Sequence, residues 1–280
     1  MKKSLQEVKV AHSPDSDDAF MFYALATNKV GIPGVKFTHI LSDIEDLNRR
    51  ALQGEFEVSA VSFHAYPFLQ DRYRLLNHGG SVGFGYGPMI VASRPMSPEE
   101  ALAKTVAIAG ERTTSALVLR LCSPQVKTTV VPFDQIIPAI VEGKVEAGLL
   151  IHEGQLTYAS AGLHKILDLG KWWLDETGLP LPLGGNVIRR DLPLDFAVKL
   201  SQVLKASIQY GLDHREEALA YAHQFARDMD DHLADQFVGM YVNERTVAYG
   251  ADDKRAIAEL LGRAYKTGAI PVEPKLDFLD

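Results

Sequence analysis

The chain has little cysteine, no long apolar run and no block of basic residues, and each lack removes a class of protein. Cys122 is the only cysteine among 280 residues, so an intrachain disulfide and a zinc site built from cysteines are excluded. No segment reaches the roughly 18 consecutive apolar residues of a membrane-spanning helix. The formal net charge is −7, and the scattered lysines and arginines form no basic patch for nucleic acid.

The N-terminal stretch MKKSLQEVKVAHSP begins with basic residues but lacks the apolar segment of a secretory signal. We therefore expect a cytoplasmic protein with no membrane partner. The 46% hydrophobic content is enough to build one large domain or two ordinary ones.

Apolar patterning alternates between strands and helices, and then becomes helical from about residue 195 to 268. Such alternation predicts an α/β fold with largely parallel sheets and helices on both faces. The segment LQGEFEVSAVSFH (52–64) aligns without gaps on VEGKVEAGLLIHE (141–153), which predicts two similar α/β units. The main predicted strands are 8–13, 35–41, 56–63, 105–110 and 145–154, and the first helices are 19–30, 43–54 and 111–122.

Four polar clusters follow predicted strands, at residues 12–15, 62–64, 110–115 and 152–153. Ligands of α/β sheets bind beyond the carboxyl ends of the strands. We therefore expect the four clusters to face one cleft between two lobes.

Two of these clusters also have a purely structural interpretation. In the acidic loop Asp15-Ser16-Asp17-Asp18, Asp17 or Asp18 would cap a helix that starts near Ala19, and the same helix end would form a wall of the cleft. Thr113-Thr114-Ser115 opens a helix whose free N–H groups would hold a carboxylate, or it is an ordinary cap. The glycines between residues 79 and 87 fit neither a phosphate loop nor a dinucleotide fingerprint.

His152 stands where the apolar run 147–151 stops. An imidazole is well suited to accept a proton near neutral pH, although a histidine at a strand end can equally be structural. Taken alone, these residues indicate a two-lobed α/β protein with a polar cleft, and they fit a binding protein as well as an enzyme.

Four longer segments carry a family resemblance: SPDSDDAFMFYAL, DIEDLNRRALQG, GLLIHEGQLTY and DLGKWWLDETGLPLPLGG. Over about residues 8 to 250 the chain resembles the 1,4-dihydroxy-6-naphthoate synthases of the futalosine route to menaquinone. The resemblance implies a two-lobed periplasmic-binding-protein-like type II fold, with mixed, mostly parallel sheets flanked by helices and a ligand cleft between the lobes. The larger, discontinuous lobe would comprise residues 1–93 and 187–280, and the smaller lobe residues 94–186.

The implied reaction is a carbon–carbon lyase step that needs no cofactor and no metal. It converts cyclic dehypoxanthinylfutalosine to 1,4-dihydroxy-6-naphthoate and releases dihydroxyacetone, with His152 as general base. The implied partner is therefore a small carboxylated cyclic compound derived from a nucleoside, and a homodimer is compatible with the resemblance. The implied substrate contacts are Asp18, Ala60, Val61, Ser62, Thr114 and Ser115.

The chain departs from the family pattern in two places. The first loop of the family is often Ser-Pro-Cys-Pro-Asn-Asp-Thr-Phe, and here Ala19 replaces the threonine while Asp18 keeps the acid. Ser115 stands where a small apolar residue is common. Two alternatives remain: chorismate dehydratase of the same pathway, which shares the fold, and a non-catalytic intracellular solute-binding protein.

Overall fold

A computed structural model describes residues 5–226 and 229–280 of the chain. The basic residues Lys2 and Lys3 of the N-terminal stretch lie outside the described residues. The strands are β1 Gln6–His12, β2 Val35–Leu41, β3 Val58–Ser62, β4 Tyr73–Leu76, β5 Ser81–Gly83, β6 Met89–Ala92, β7 Thr105–Ile108, β8 Lys127–Val130, β9 Ala147–Leu150, β10 His164–Asp168, β11 Leu181–Arg189 and β12 Phe278–Leu279.

Helices connect most of these strands and fill the C-terminal part, as the sequence predicted. None of the helices in the described part of the chain is both long and apolar enough to cross a membrane. The helices are α1 Ser16–Ala26, α2 Ile44–Ala51, α3 Tyr66–Leu69, α4 Pro98–Leu102, α5 Thr114–Cys122, α6 Ile136–Val141, α7 Gly154–Thr157, α8 Leu169–Thr177, α9 Leu194–Asp213, α10 Arg215–Ala222, α11 Asp231–Tyr241, α12 Glu244–Val247 and α13 Ala251–Lys266, with short 3₁₀ turns at Phe133–Gln135 and His223–Phe225.

The chain divides into two compact units. The first unit contains residues 1–81, 184–250 and 274–280, and the second contains 82–183 and 251–273. The lobes predicted from the sequence, 1–93 with 187–280 and 94–186, stay a prediction.

The sheet of the first unit follows the order β12–β4–β11–β3–β1–β2. Strand β1 runs parallel to both β2 and β3, whereas β11 runs antiparallel to β3 and β4. Every residue of β3 is buried, as expected for a central strand that is covered on both faces. In the main hydrophobic core of the first unit, Val8 and Val10 of β1 pack with the almost wholly buried helix α1 and with apolar residues of α9.

The N-cap predicted for helix α1 is wrong. The helix begins at Ser16 rather than near Ala19, so Asp17 and Asp18 lie in its first turn and do not cap it. The N-cap position is Asp15, whose carbonyl accepts the Ala19 N–H at 2.9 Å. The Asp18 Oδ2 instead accepts the Ser13 N–H at 2.7 Å. This bond folds the acidic turn back onto the end of β1 and moves the start of the helix towards the strand.

The sheet of the second unit follows the order β10–β6–β9–β7–β8. Strand β7 is parallel to β8 and β9, but β6 runs antiparallel to both β9 and β10. Both sheets are therefore mixed, as the fold class predicted from the sequence requires. The antiparallel members are strands whose pairing direction is decided by partners distant in the chain, which local patterning does not encode.

The internal similarity seen in the sequence corresponds to a repeated local structure. Gly54 follows α2 and Gly143 follows α6, and both have φ of 71°. A left-handed residue there suits glycine, because a Cβ disfavours this conformation. Each glycine leads into a buried strand, β3 in one unit and β9 in the other.

The tryptophan-rich segment of the sequence forms α8 and its flanking turns. Asp168 caps the helix by accepting N–H bonds from Gly170 and Lys171. Trp173 is fully buried, and its Nε1–H donates to the Pro180 carbonyl at 2.9 Å. Gly178 ends the helix with a φ of 67°. These contacts fix both ends of α8 and bury the Trp173 side chain.

Candidate active site

In the first unit, the carboxyl ends of β1 and β3 lie at the same edge of the sheet. The strands are parallel, with Ala11 opposite Ser59, so His12 and Ser62 end their strands on the same side. Ser62 is buried, and it is held by Asn48 of helix α2. The Ser62 N–H donates to Asn48 Oδ1 at 2.8 Å, and Asn48 Nδ2 donates to the Ser62 Oγ at 3.1 Å.

The loop after β1 is fixed at Ser13 from two sides. Its N–H donates to Asp18, and its carbonyl lies 3.0 Å from His12 Nδ1. The His12 ring also stacks on Phe22, with centroids 4.4 Å apart. Burial, reinforced by the neighbouring His39, lowers the pKa of His12 to about 3. His12 is therefore neutral near pH 7 and acts here as a hydrogen-bonding group.

The predicted contacts Asp18, Ala60, Val61 and Ser62 all belong to the first unit. Ala60 and Val61 lie on β3 opposite Asn186 and Gly185 of β11, and both side chains are buried. Asp18 is buried too, with one carboxylate oxygen committed to the loop. The Asp18 carboxylate thus holds the loop after β1. Ser62 is the last residue of β3.

In the second unit, β7 and β9 are parallel, with Ala107 opposite Gly148. The start of α5 and the His152 segment therefore follow neighbouring strand ends at one edge. Thr113 is the N-cap of α5, and its Oγ1 accepts the Ala116 N–H at 3.2 Å. The cap interpretation of this motif is thus confirmed, and the two following residues, Thr114 and Ser115, form the buried first turn.

The hydroxyl directions at this helix start follow from donor and acceptor rules. Thr113 Oγ1 donates to the Gly110 carbonyl at 2.9 Å, because a carbonyl only accepts. In the 3.0 Å contact between Thr113 Oγ1 and Ser115 Oγ, the hydrogen must therefore come from Ser115. Ser115 is left with lone pairs on its hydroxyl and a first-turn backbone N–H, and the latter is the group that suits an anion.

His152 lies two residues beyond β9, which ends at Leu150 rather than at the histidine. Its backbone has a φ of 51°, in the left-handed region that non-glycine residues rarely occupy. The imidazole is half-buried and contacts the edge of Phe133, with centroids 5.3 Å apart. A strained backbone of this kind is common at functional sites, and here it turns the chain sharply before Glu153, the residue preceding α7.

A cavity of about 470 Å³ lies in the first unit away from these residues. It is found where β3 and β4 begin and β11 ends, at the edge opposite Ser62. Arg189 is paired there with Asp191 and Glu57, and Arg190 with Asp277. Because these charges are compensated within the protein, we favour the strand-end residues as the active site.

The described residues, 5–226 and 229–280, contain no group of three or more histidine, cysteine, aspartate or glutamate side chains that could hold a metal ion.

Comparison with known proteins places the chain in a family. A family model described as menaquinone biosynthesis matches residues 8–266. The chain belongs to this family. A curated relative from Thermus thermophilus, named 1,4-dihydroxy-6-naphtoate synthase, is 38% identical over 271 residues, covering 97% of this chain and 98% of that protein.

Two solved structures resemble the chain at different levels of similarity. Protein AF1704 from Archaeoglobus fulgidus is 43% identical, with a TM-score of 0.90, covering 94% of this chain and 98% of that one. The periplasmic aliphatic sulphonate binding protein SsuA from Escherichia coli is 12% identical, with a TM-score of 0.66, covering 99% and 94%. The second likeness shows the fold alone. This menaquinone-biosynthesis protein therefore has a periplasmic-binding-protein-like α/β fold.

The sequence reasoning placed His12 and Ser62 in polar clusters after strands but missed the residues that contact them, His39 and Asn48. Asn48 had a readable signal: it is a polar residue within the apolar stripe formed by Leu47 and Ala51 of α2, both buried. The contact of His12 with His39 had no such signal, because it depends on the parallel register of β1 and β2.

Proposed function

We propose that the chain is a carbon–carbon lyase that converts cyclic dehypoxanthinylfutalosine to 1,4-dihydroxy-6-naphthoate and releases dihydroxyacetone. Membership of the menaquinone-biosynthesis family and the name of the Thermus thermophilus relative support this reaction. The structural observation that carries it is the placement of His152 and the α5 N-terminus after neighbouring parallel strands. A biosynthetic role also favours the cytoplasm as the place of action.

His152 is the proposed general base. Its imidazole takes the proton of a substrate hydroxyl, and the electrons left on that oxygen form a carbonyl as the adjacent carbon–carbon bond breaks. The electron pair of the broken bond moves onto the ring fragment. Return of the proton from the imidazolium to that fragment restores the total charge of the substrate and the neutral imidazole, so atoms and charge balance. Formation of the aromatic naphthoate ring favours cleavage.

The N-terminus of α5 is the proposed carboxylate site. A nine-residue helix has a positive dipole end at its first turn, and the Ser115 N–H lies in that turn. Ser62, with the backbone at Ala60 and Val61, is the proposed contact of the first unit. That both sets bind one substrate molecule stays a prediction.

Turnover by the purified protein and by His152→Ala tests the proposal. Cyclic dehypoxanthinylfutalosine is the substrate, and the naphthoate is followed by chromatography. We expect His152→Ala to lose about 10² to 10⁴ in rate while it remains folded. His232, exposed on α11, provides a matched control, since His232→Ala removes an imidazole without touching either strand-end group.

Three results would contradict the proposal in different ways. Equal turnover by wild type and a folded His152→Ala would remove the histidine from its role. Consumption of chorismate instead of the futalosine derivative would move the chain to the dehydratase of the same pathway. Binding of the futalosine derivative with no turnover would indicate a solute-binding protein.

A further inference from the structure

We propose that Asn48 is a positioning residue that fixes the direction of the Ser62 hydroxyl, so that this hydroxyl donates a hydrogen bond to the substrate. The inference rests on the proposed function, because it assumes that Ser62 contacts the substrate. It adds a requirement on the ligand: the group beside Ser62 must be an acceptor, such as a carboxylate or carbonyl oxygen.

The orientation of the Asn48 amide is decided by a backbone group. The Ser62 N–H can only donate, so the atom 2.8 Å from it must be the amide oxygen Oδ1. The other end of the amide, Nδ2, is then the atom 3.1 Å from Ser62 Oγ. An amide nitrogen only donates, so the hydroxyl oxygen is the acceptor in this second bond.

This leaves the hydroxyl hydrogen of Ser62 directed away from Asn48. Among the described residues, Ser62 Oγ has no other hydrogen-bond partner, although the residue is only 3% exposed. A buried hydroxyl hydrogen without an acceptor is costly. An acceptor atom of the ligand would satisfy it, whereas a donor group would leave two hydrogens facing each other.

Helix α2 holds Asn48 firmly enough for this role. Asn48 is fully buried, and α2 packs against β3, the strand that carries Ser62. The helix is capped by Asp43, whose side chain accepts the Asp46 N–H at 3.0 Å. A side chain with so little freedom loses little entropy when it orients its neighbour.

Asn48→Asp reverses the direction of the hydroxyl with almost no change of shape. One carboxylate oxygen still accepts the Ser62 N–H, but the other now accepts the Ser62 hydroxyl hydrogen, which turns away from the ligand. We expect KM to rise about 10-fold to 100-fold, the effect of a lost hydrogen bond to a charged group, with kcat within about 3-fold. Asn48→Ala should give a smaller rise, because the hydroxyl is then free to rotate.

The decisive measurement is made in the Ser62→Ala background. If Asn48 acts through Ser62, neither Asn48→Asp nor Asn48→Ala raises KM further once the hydroxyl is gone. An equal rise of KM with and without the hydroxyl would overturn the inference, since it would indicate direct repulsion of the substrate or a general structural defect. Asn243→Asp, at the N-cap of α12, is the control for the same substitution elsewhere in the unit.

Two further measurements distinguish a folding defect from a functional one. Circular dichroism and the melting temperature identify a variant that fails to fold, and Asn48→Ala, which buries no charge, then carries the test. Wild-type protein that does not turn over the futalosine derivative would refute the proposed function, and the inference with it. Active wild type with an unchanged KM for folded Asn48→Asp would refute the inference alone.

Discussion

His12 Nε2 lies 2.9 Å from His39 Nδ1, and the two rings meet edge to face with centroids 5.2 Å apart. The carbonyl of Ser13 only accepts, so the proton of neutral His12 is on Nδ1. Nε2 is then the acceptor, and His39 donates from its own Nδ1. The hydrogen bond thus runs from His39 to His12, and this requires the His12 ring to be neutral.

This pair predicts a loss of stability in mild acid. Burial lowers the pKa of both rings, to about 3 for His12 against an ordinary value of 6.5. Below pH 6.5, His12 binds a proton in the unfolded state but stays neutral in the folded state until the pH approaches 3. The free energy of unfolding therefore falls between pH 6.5 and about 3. At pH 5, His12 alone accounts for a loss of about 2 kcal/mol.

Urea unfolding of wild type and His12→Phe at pH 7 and pH 5 measures this effect. The variant keeps a ring against Phe22 but has no proton to bind. Its free energy of unfolding should fall by about 2 kcal/mol less between the two pH values than that of wild type. The same pH dependence in both proteins would mean that His12 titrates normally in the fold.

Substitutions of His152 should affect stability and activity differently. Its φ of 51° costs a non-glycine residue roughly 1–2 kcal/mol. His152→Gly and His152→Ala both remove the imidazole, but only glycine relieves the backbone. We expect the free energy of unfolding of the glycine variant to be about 1 kcal/mol higher than that of the alanine variant. Turnover should be equally low in both. A glycine variant that is the less stable of the two would contradict the left-handed conformation.

Apolar periodicity was enough to predict most of the strands and helices, because burial on one face repeats at fixed spacing. Strand β2 was predicted with its observed limits, Val35–Leu41. The start of α1 was missed because it depends on a hydrogen bond that the Ser13 N–H donates to Asp18. The directions of β6 and β11 were missed because their partners are remote in sequence.

The candidate site was predictable only as far as position along the chain. A polar residue after an apolar run located His152 and Ser62 near strand ends, which the structure confirms. Residue type does not encode the positive φ of His152, which depends on the turn into α7. Nor does it encode which hydroxyl hydrogens are already used, and this decides what Ser115 can offer a ligand.

Any side chain at Gly170 should cause a severe packing defect in the tryptophan-rich segment. A Cβ there would lie 2.1 Å from the Tyr86 carbonyl, which is backbone and cannot move aside. Gly170→Ala should therefore lower the free energy of unfolding by about 3 kcal/mol or more. Gly262 of α13 has no atom within 4 Å of the same position, so Gly262→Ala should raise stability by up to about 1 kcal/mol. Chemical denaturation of the two variants beside wild type checks the contrast, and equal effects would contradict the packing described for α8.

Thr113 predicts a combined effect on stability and substrate affinity. Its hydroxyl has three partners: the Gly110 carbonyl, the Ala116 N–H and the Ser115 hydroxyl. Thr113→Val keeps the shape and loses all three bonds, so stability should fall by about 2 kcal/mol. Thr113→Ser keeps them and should lose less than about 1 kcal/mol.

Because the valine variant also loosens the first turn of α5, its KM should rise while that of the serine variant stays near wild type. A valine variant of reduced stability but unchanged KM would separate this helix start from substrate binding, and would move the carboxylate site elsewhere.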